Sequence, residues 1–247
     1  MKTWMRIPTW WIRGNNNAKL LCFTTNELGP SIAALILYVT FALRVAETDT
    51  VTVPAGTVDL TFTEIENLTG LSRHLLSKGI RKLEREGLIS VTKVGRKNVY
   101  CIIGYKIDEI MPWGGRPSWG KVPRKYLYDT QGRLIFSRFS LRYPAELFAL
   151  KLYLAIIAFQ QSDKYFALIS YPNLQDHTGI PVGKIRSGLS HLINLSLIHI
   201  DRDPSVGGAK LNPPNQYRVC GVDPYRHLAT MERDLVVLQE LAEGVPP

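Results

Sequence analysis

Six hydrogen-bonding side chains crowd into one short stretch: Ser72, Arg73, His74, Ser77, Lys78 and Arg81. On a helix, their one-, three- and four-residue steps bring them to one side. An arginine there can fork onto guanine O6 and N7, and hydroxyl or imidazole groups can reach a base edge or a phosphate. Lysines hold phosphates as point charges. Lys93, Arg96 and Lys97 follow in and beside the basic turn VGRKN. From Ser72 to Tyr100, Arg73, Lys78, Arg81, Lys82, Arg85, Lys93, Arg96 and Lys97 stand against Glu84 and Glu86, a local charge of +6. That chemistry suits a polyanion.

Other chemistry is poorly supplied. The five histidines form no HExxH pattern and no cluster with Cys22, Cys101 or Cys220, so no metal site is expected. No GxSxG surrounds a serine. Gly115 to Lys121 matches GxxxxGK, but Val122-Pro123 follows where a phosphate loop needs Ser or Thr and a helix. Carboxylates are scattered without a pair for acid–base work. No catalysis and no cofactor are expected.

The donors need a scaffold, and the surrounding pattern supplies one. Leu76, Ile80 and Leu83 form the opposite, inward stripe of a helix that Ser72 caps and Gly87 stops. A shorter helix, Thr63–Thr69, precedes it, with Thr63 and Glu66 at capping-box distance. Gly70-Leu71 makes the turn, so that Ile65 and Leu68 meet Leu71 and the inward stripe. Strands Leu88–Lys93 and Asn98–Ile103 then flank the basic turn. Upstream, a helix from Pro30 to about Ala46 is apolar almost all round and belongs at a domain centre. Before it, Trp10–Arg13 and Ala18–Phe23 flank GNNN and read as a β-hairpin.

The same plan recurs. An offset of 115 places Arg6–Ile12 on Lys121–Leu127, and Ile32, Leu35 and Tyr38 on Leu147, Leu150 and Tyr153. An offset of 109 aligns Thr69–Val91 with Thr178–Ile200, with six of 23 positions identical. The expected second copy has a hairpin through DTQG, a helix from Pro144 to about Gln161 and a shorter one over Pro172–Thr178. Helix Pro181–Leu195 and strands Leu197–Asp201 and Gln216–Cys220 complete it. Leu174, Ile180, Ile185, Leu189 and Leu192 are its inward residues. Its outward face is thinner: Lys184, Arg186, Ser187 and Ser190, with Lys210 near the second hairpin.

The stretch LTFTEIENLTGLSRHLLSKGIRKLEREGLISVTKVGRKNVY resembles the winged-helix regions of bacterial MarR- and GntR-type transcription regulators. It also resembles those of plasmid and phage replication proteins, and two such units in one chain resemble the layout of plasmid replication initiators. The match covers about Leu60–Tyr105 and is weaker over Ser170–Val222, where Pro181 and Val182 replace the usual Ser-Arg start. The resemblance implies an α+β fold of two pseudo-repeated winged helix-turn-helix domains and double-stranded DNA as partner. RNA polymerase or host replication proteins would be recruited partners. A transcriptional regulator is the first expectation, an initiator binding origin repeats the second, and an interaction scaffold that has left DNA the third.

The expected division is 1–105 for the first winged-helix domain, 106–120 for a Gly-, Pro- and Trp-rich linker, 121–222 for the second domain and 223–247 for a C-terminal helix and tail. Leu228, Met231, Leu235, Leu238 and Ala242 have the spacing of a short coiled-coil seam, so a homodimer through that helix and packing back on its own domain both stay open. From Arg116 to Arg142 seven basic residues face one acid, which suits either a solvated hairpin edge or a phosphate track. The whole chain has 247 residues and a formal charge of +9, with 45% apolar residues, which excludes wholesale disorder. The longest apolar run, Ile32–Leu43, is shorter than a membrane span, and Arg6 and Pro8 interrupt any leader-like stretch. Three isolated cysteines offer no disulfide framework, so a cytoplasmic setting is expected.

Overall fold

The structure is a computed structural model that describes residues 3–13, 19–50, 53–95, 97–111, 115–161, 166–201 and 215–222. Strand β1 (Trp4–Pro8) and a one-turn helix α1 (Trp10–Arg13) lead into the long helix α2 (Leu28–Arg44). Strand β2 (Thr57–Val58), helices α3 (Phe62–Thr69) and α4 (Arg73–Arg85) and the hairpin β3 (Ile89–Val94)–β4 (Lys97–Ile102) follow. After β5 (Trp119–Pro123) the order recurs as α5 (Pro144–Ala158), β6 (Phe166–Ile169), α6 (Tyr171–Thr178), α7 (Val182–Asn194), β7 (Ile198–Asp201) and β8 (Asn215–Val219). Among the described residues three sheets form, all small and antiparallel: β1-β5, β2-β4-β3 and β6-β8-β7. The fold is α+β.

Helices α2 and α5 are the axial elements. Every residue of α2 from Ser31 to Leu43 is buried, and so is every residue of α5 from Leu147 to Ala158 except Phe148. By length and composition Thr25–Arg44 is apolar enough to cross a membrane, yet 72% of its most apolar window lies buried inside the molecule. Each axial helix takes a partner at close range. Gly79 of α4 lies so near α2 that a methyl group there would meet Leu37 Cδ1 at 2.7 Å and the Ala34 nitrogen at 3.1 Å. Gly188 of α7 repeats this against α5, with Leu152 Cδ1 at 2.7 Å.

The turns between helices also correspond. Gly70 (φ 69°) and Gly179 (φ 68°) end α3 and α6 in the left-handed conformation that glycine adopts without strain. Before each, a threonine hydroxyl donates to the carbonyl four residues back, Thr69 to Ile65 and Thr178 to Leu174. The same hydroxyls accept from the Leu71 and Ile180 amides beyond the glycine. The inward residues Ile65, Leu68, Leu71, Leu76, Ile80 and Leu83 are buried, as are Leu174, Ile180, Ile185, Leu189 and Leu192. Helix α3 begins one residue earlier than expected and its cap lies two residues earlier: Thr61 caps it, in a capping box with Glu64.

The expected amino-terminal hairpins do not form two-stranded ladders among the described residues. Trp10, Trp11 and Ile12 are consecutive buried residues, which a helical turn can bury together and a strand would turn alternately outward. Lys19–Cys22 and Ile135–Arg138 are 3-10 turns, and the pairing around DTQG is limited to a bridge from Tyr128 to Leu134, flanked by backbone hydrogen bonds from Asp129 to the Arg133 carbonyl and from Ile135 to the Leu127 carbonyl. The strand pairing instead runs between the two halves of the chain. β1 pairs with β5, whose Trp119 and Gly120 fall in the expected linker. The turn at Gly70 packs on Ser137, and the turn at Gly179 packs on Leu21, so each half closes over the other's helix pair.

Candidate nucleic-acid interface

Helix α4 presents the expected donors. The Ser72 hydroxyl caps it by accepting from the Leu75 amide, which fixes where the first turn begins. Arg73, His74, Lys78 and Arg81 are exposed and Ser77 is half-buried, while Leu76, Ile80 and Leu83 hold the opposite side in the core. Arg73 is not unattached: its Nε donates to Glu66 Oε2 of α3 at 3.0 Å and its Nη2 to Thr63 Oγ1 at 3.4 Å. The guanidinium therefore leans on α3, with 68% of the side chain still exposed.

The hairpin β3–β4 stands beside this helix, with Val94 opposite Lys97 at its tip. Lys93 and Lys97 are exposed, and Lys97 Nζ lies 3.8 Å from Asp59 Oδ2. Arg96 lies outside the described residues.

Lys82 departs from the surface charge expected of it. It is 3% exposed, its ammonium donates to Glu27 and lies 5.5 Å above the Phe23 ring. The helix period explains this: position 82 falls beside Leu83 and Gly79 on the flank that meets the start of α2, not on the outward face. Arg85 also donates to Glu27, at 3.3 Å, and to Glu86, at 3.2 Å. The ammonium of Lys82 and the guanidinium of Arg85 hold the Glu27 carboxyl below its ordinary range, so it stays ionised. Together with Arg73 and Lys97, several cations counted from the sequence are thus partly answered by acids that the sequence does not place near them.

On α7, Lys184, Arg186, Ser187 and Ser190 are all exposed. Ser187 donates to the Lys184 carbonyl at 3.0 Å and Ser190 to the Arg186 carbonyl at 2.9 Å. Their protons are spent on their own helix, which leaves the hydroxyl oxygens as outward acceptors. Arg218 pairs with Asp201 across β7 and β8. Lys210 and the C-terminal segment 223–247 lie outside the described residues. The two outward faces are unlike in charge, with α4 the more basic.

Glu66, Glu27 and Asp59 are the contributors that sequence reasoning missed. Each is distant in sequence or on another element from the cation it meets, and no periodicity links them. Among the described residues no three of His, Cys, Asp or Glu gather at metal-binding distance, and Cys22, Cys101 and Cys220 form no disulfide. Gly120, of the false phosphate loop, sits within β5, where a methyl group would meet the Ile157 carbonyl oxygen of α5 at 2.6 Å. No protein-family model, no curated protein and no solved structure matches this chain.

Proposed function

We propose that the chain is a sequence-specific double-stranded DNA-binding protein, acting as a transcriptional regulator through two tandem winged helices. The observation that carries this reading is the outward face of α4: a capped helix with Arg73, His74, Lys78 and Arg81 exposed beside a basic hairpin, over a fully buried opposite stripe. A helix of that kind fits the major groove, with its first turns nearest the bases. In this reading Ser72, Arg73, His74 and Ser77 address base edges. Lys78, Arg81, Lys93, Arg96 and Lys97 hold phosphates. Helix α7 addresses a second half-site with Lys184, Arg186, Ser187 and Ser190, and Lys210 supports it.

The strand pairing adds a geometric expectation. Arg6 and Lys121, 115 residues apart, lie opposite each other, so the two strands of the antiparallel ribbon are related by a local two-fold axis, which we take the two halves to share. Two reading helices so related address inverted rather than direct half-sites, and the unlike faces of α4 and α7 make those half-sites unequal. Selection from random duplex DNA tests this. An enriched motif of two inverted, non-identical half-sites supports the reading, and no enrichment above background rejects it. Arg73→Ala should then cost about 1–3 kcal/mol on the selected site, whereas Lys97→Ala should weaken all sequences alike and lower the salt slope.

A further inference from the structure

Lys78, Arg81, Lys82 and Arg85 follow at three-, one- and three-residue steps, so they form one flank of α4. They face the start of α2 across a cleft of 490 Å³, whose far wall runs from Asn26 to Pro30. Four cations line it against a single acid, Glu27, whose carboxylate is already shared by Lys82 and Arg85. Among the described residues neither Lys78 nor Arg81 has an ion-pair partner. Like charges at such spacing cost a helix stability unless something offsets them.

Packing does not require this arrangement, as the second half of the chain shows. At the offset of 109, Ser187, Ser190, His191 and Asn194 take the places of the four cations. At the offset of 115, Arg142 takes the place of Glu27. Yet α7 approaches α5 as closely as α4 approaches α2, at Gly188 and Gly79. The basic cleft is a property added to the first half alone. It also lies behind the base-reading end: Arg85 is about 18 Å along the helix from Arg73 at 1.5 Å per residue.

We propose that this cleft is a phosphate site, in which Arg81 and Arg85 fork onto phosphate oxygens, Lys78 closes the mouth and Lys82 supplies fixed charge at the floor. The volume suits a di- or triphosphate group, and planar guanidinium pairs suit its oxygens. The phosphate belongs either to a free nucleotide-like anion or to the backbone of a bound duplex. Because Lys78 and Arg81 border both the cleft and the outward face of α4, occupancy by a free anion would compete with DNA. The site itself does not depend on the DNA reading.

Calorimetric titration of the full chain with inorganic pyrophosphate, in chloride buffer without DNA, is the first test. Binding with a Kd below about 1 mM is expected, weakened at least about tenfold by Arg81→Gln with Arg85→Gln and unchanged by Lys106→Gln. Circular dichroism checks that the variants fold. Salt-dependent duplex binding is the second test, with Arg85→Gln alone. Pyrophosphate binding with an unaltered salt slope assigns the site to a free anion. No pyrophosphate binding, but a salt slope lower by about 1, assigns it to the duplex backbone. Pyrophosphate held equally well by the double variant, or neither effect, overturns the site. A chain that binds pyrophosphate but no duplex keeps the site and loses the DNA reading.

Discussion

Arg6 lies directly opposite Lys121 in the β1–β5 ribbon, and the two are separated by the same 115 residues that separate the matching halves of the chain. Each residue one step before Arg6 therefore faces one a step after Lys121, and the reverse. The side chains obey the same symmetry. Trp4 stacks on Trp119 with centroids 6.5 Å apart, Arg6 lies 5.7 Å over Trp119, and Lys121 lies 5.3 Å over Trp4. Removing either tryptophan strips a ring from its partner and a seat from a cation. Trp4→Ala and Trp119→Ala should each destabilise the fold by about 1–2 kcal/mol. Their effects should fall short of additivity by at least about 0.5 kcal/mol in a denaturant double-mutant cycle. Strict additivity would show that the ladder does not join the halves.

The elements within each half were legible because their signals are local. The inward stripe of α4, the cap at Ser72 and the glycine turns at Gly70 and Gly179 are all set by neighbours within a few residues. The offset between the halves likewise survived as matched apolar positions. What was not legible depends on contacts across the halves. A short Trp-rich strand carries no mark of its partner: the local turn signal points to a hairpin of Trp10–Arg13 with Ala18–Phe23, whereas Trp10–Arg13 is helical and the strand before it, β1, pairs with β5 more than a hundred residues away. Charges misled for the same reason: Lys82 looks like any surface lysine until the start of α2 brings Glu27 beside it.

Gly79 and Gly188 set how closely each pair of helices approaches. A methyl group at Gly79 would meet the Ala34 nitrogen at 3.1 Å and the Ala33 carbonyl carbon at 3.2 Å, backbone atoms that cannot rotate away. Gly79→Ala should cost about 1–3 kcal/mol despite the better helix propensity of alanine. Gly188→Ala should behave alike, with the Phe148 carbonyl carbon at 3.0 Å. Gly183, with nothing within 4 Å, is the control: alanine there should be neutral or stabilising. Thermal unfolding of the three variants distinguishes close approach from propensity.

Tyr38 and Tyr153 occupy matching places in α2 and α5 with different partners. The Tyr38 hydroxyl accepts from Trp11 Nε1 at 3.0 Å and donates to the Pro8 carbonyl at 2.8 Å. The Tyr153 hydroxyl is buried without a hydrogen-bond partner among the described residues. Tyr38→Phe should therefore destabilise by about 1–3 kcal/mol, since it leaves the indole N–H with only its 3.1 Å contact to Pro8 and the carbonyl short of a donor. Tyr153→Phe removes an unsatisfied group and should be neutral or stabilising. Equal losses at both sites would contradict this.

Glu66 sets the position from which Arg73 would meet DNA. Arg73 is largely exposed and Glu66 partly so, and a pair at the surface adds little to folding, about 0–1 kcal/mol. Its effect should appear in recognition. Glu66→Gln removes an acid beside the outward face and releases the guanidinium, so affinity for unrelated duplexes should rise while the preference for the selected site narrows. Fluorescence anisotropy on selected and scrambled duplexes measures the ratio. An unchanged ratio would mean that Arg73 is not oriented through Glu66.

Lys151 gives the contact between the halves a dependence on pH. It extends from α5 to donate to the Phe23 carbonyl at 3.0 Å, only 5% exposed, and burial lowers its pKa from 10.5 to about 8. Lys82 lowers it further and Cys22 opposes the shift. The unfolded chain holds this proton up to its ordinary range, whereas the folded chain releases it near pH 8. The cost of the buried charge is therefore fully present below pH 8 and is relieved as pH rises toward 10.5. Relief over the whole interval is on the order of 3 kcal/mol. The Cys22 and Cys101 thiols, both raised mainly by burial, act in the opposite direction above their ordinary value, so the informative quantity is a difference between variants. The stability of the natural chain minus that of Lys151→Met should rise from pH 7.5 to pH 10 in denaturant titrations. A difference that stays level across that interval would show that Lys151 remains protonated where it lies.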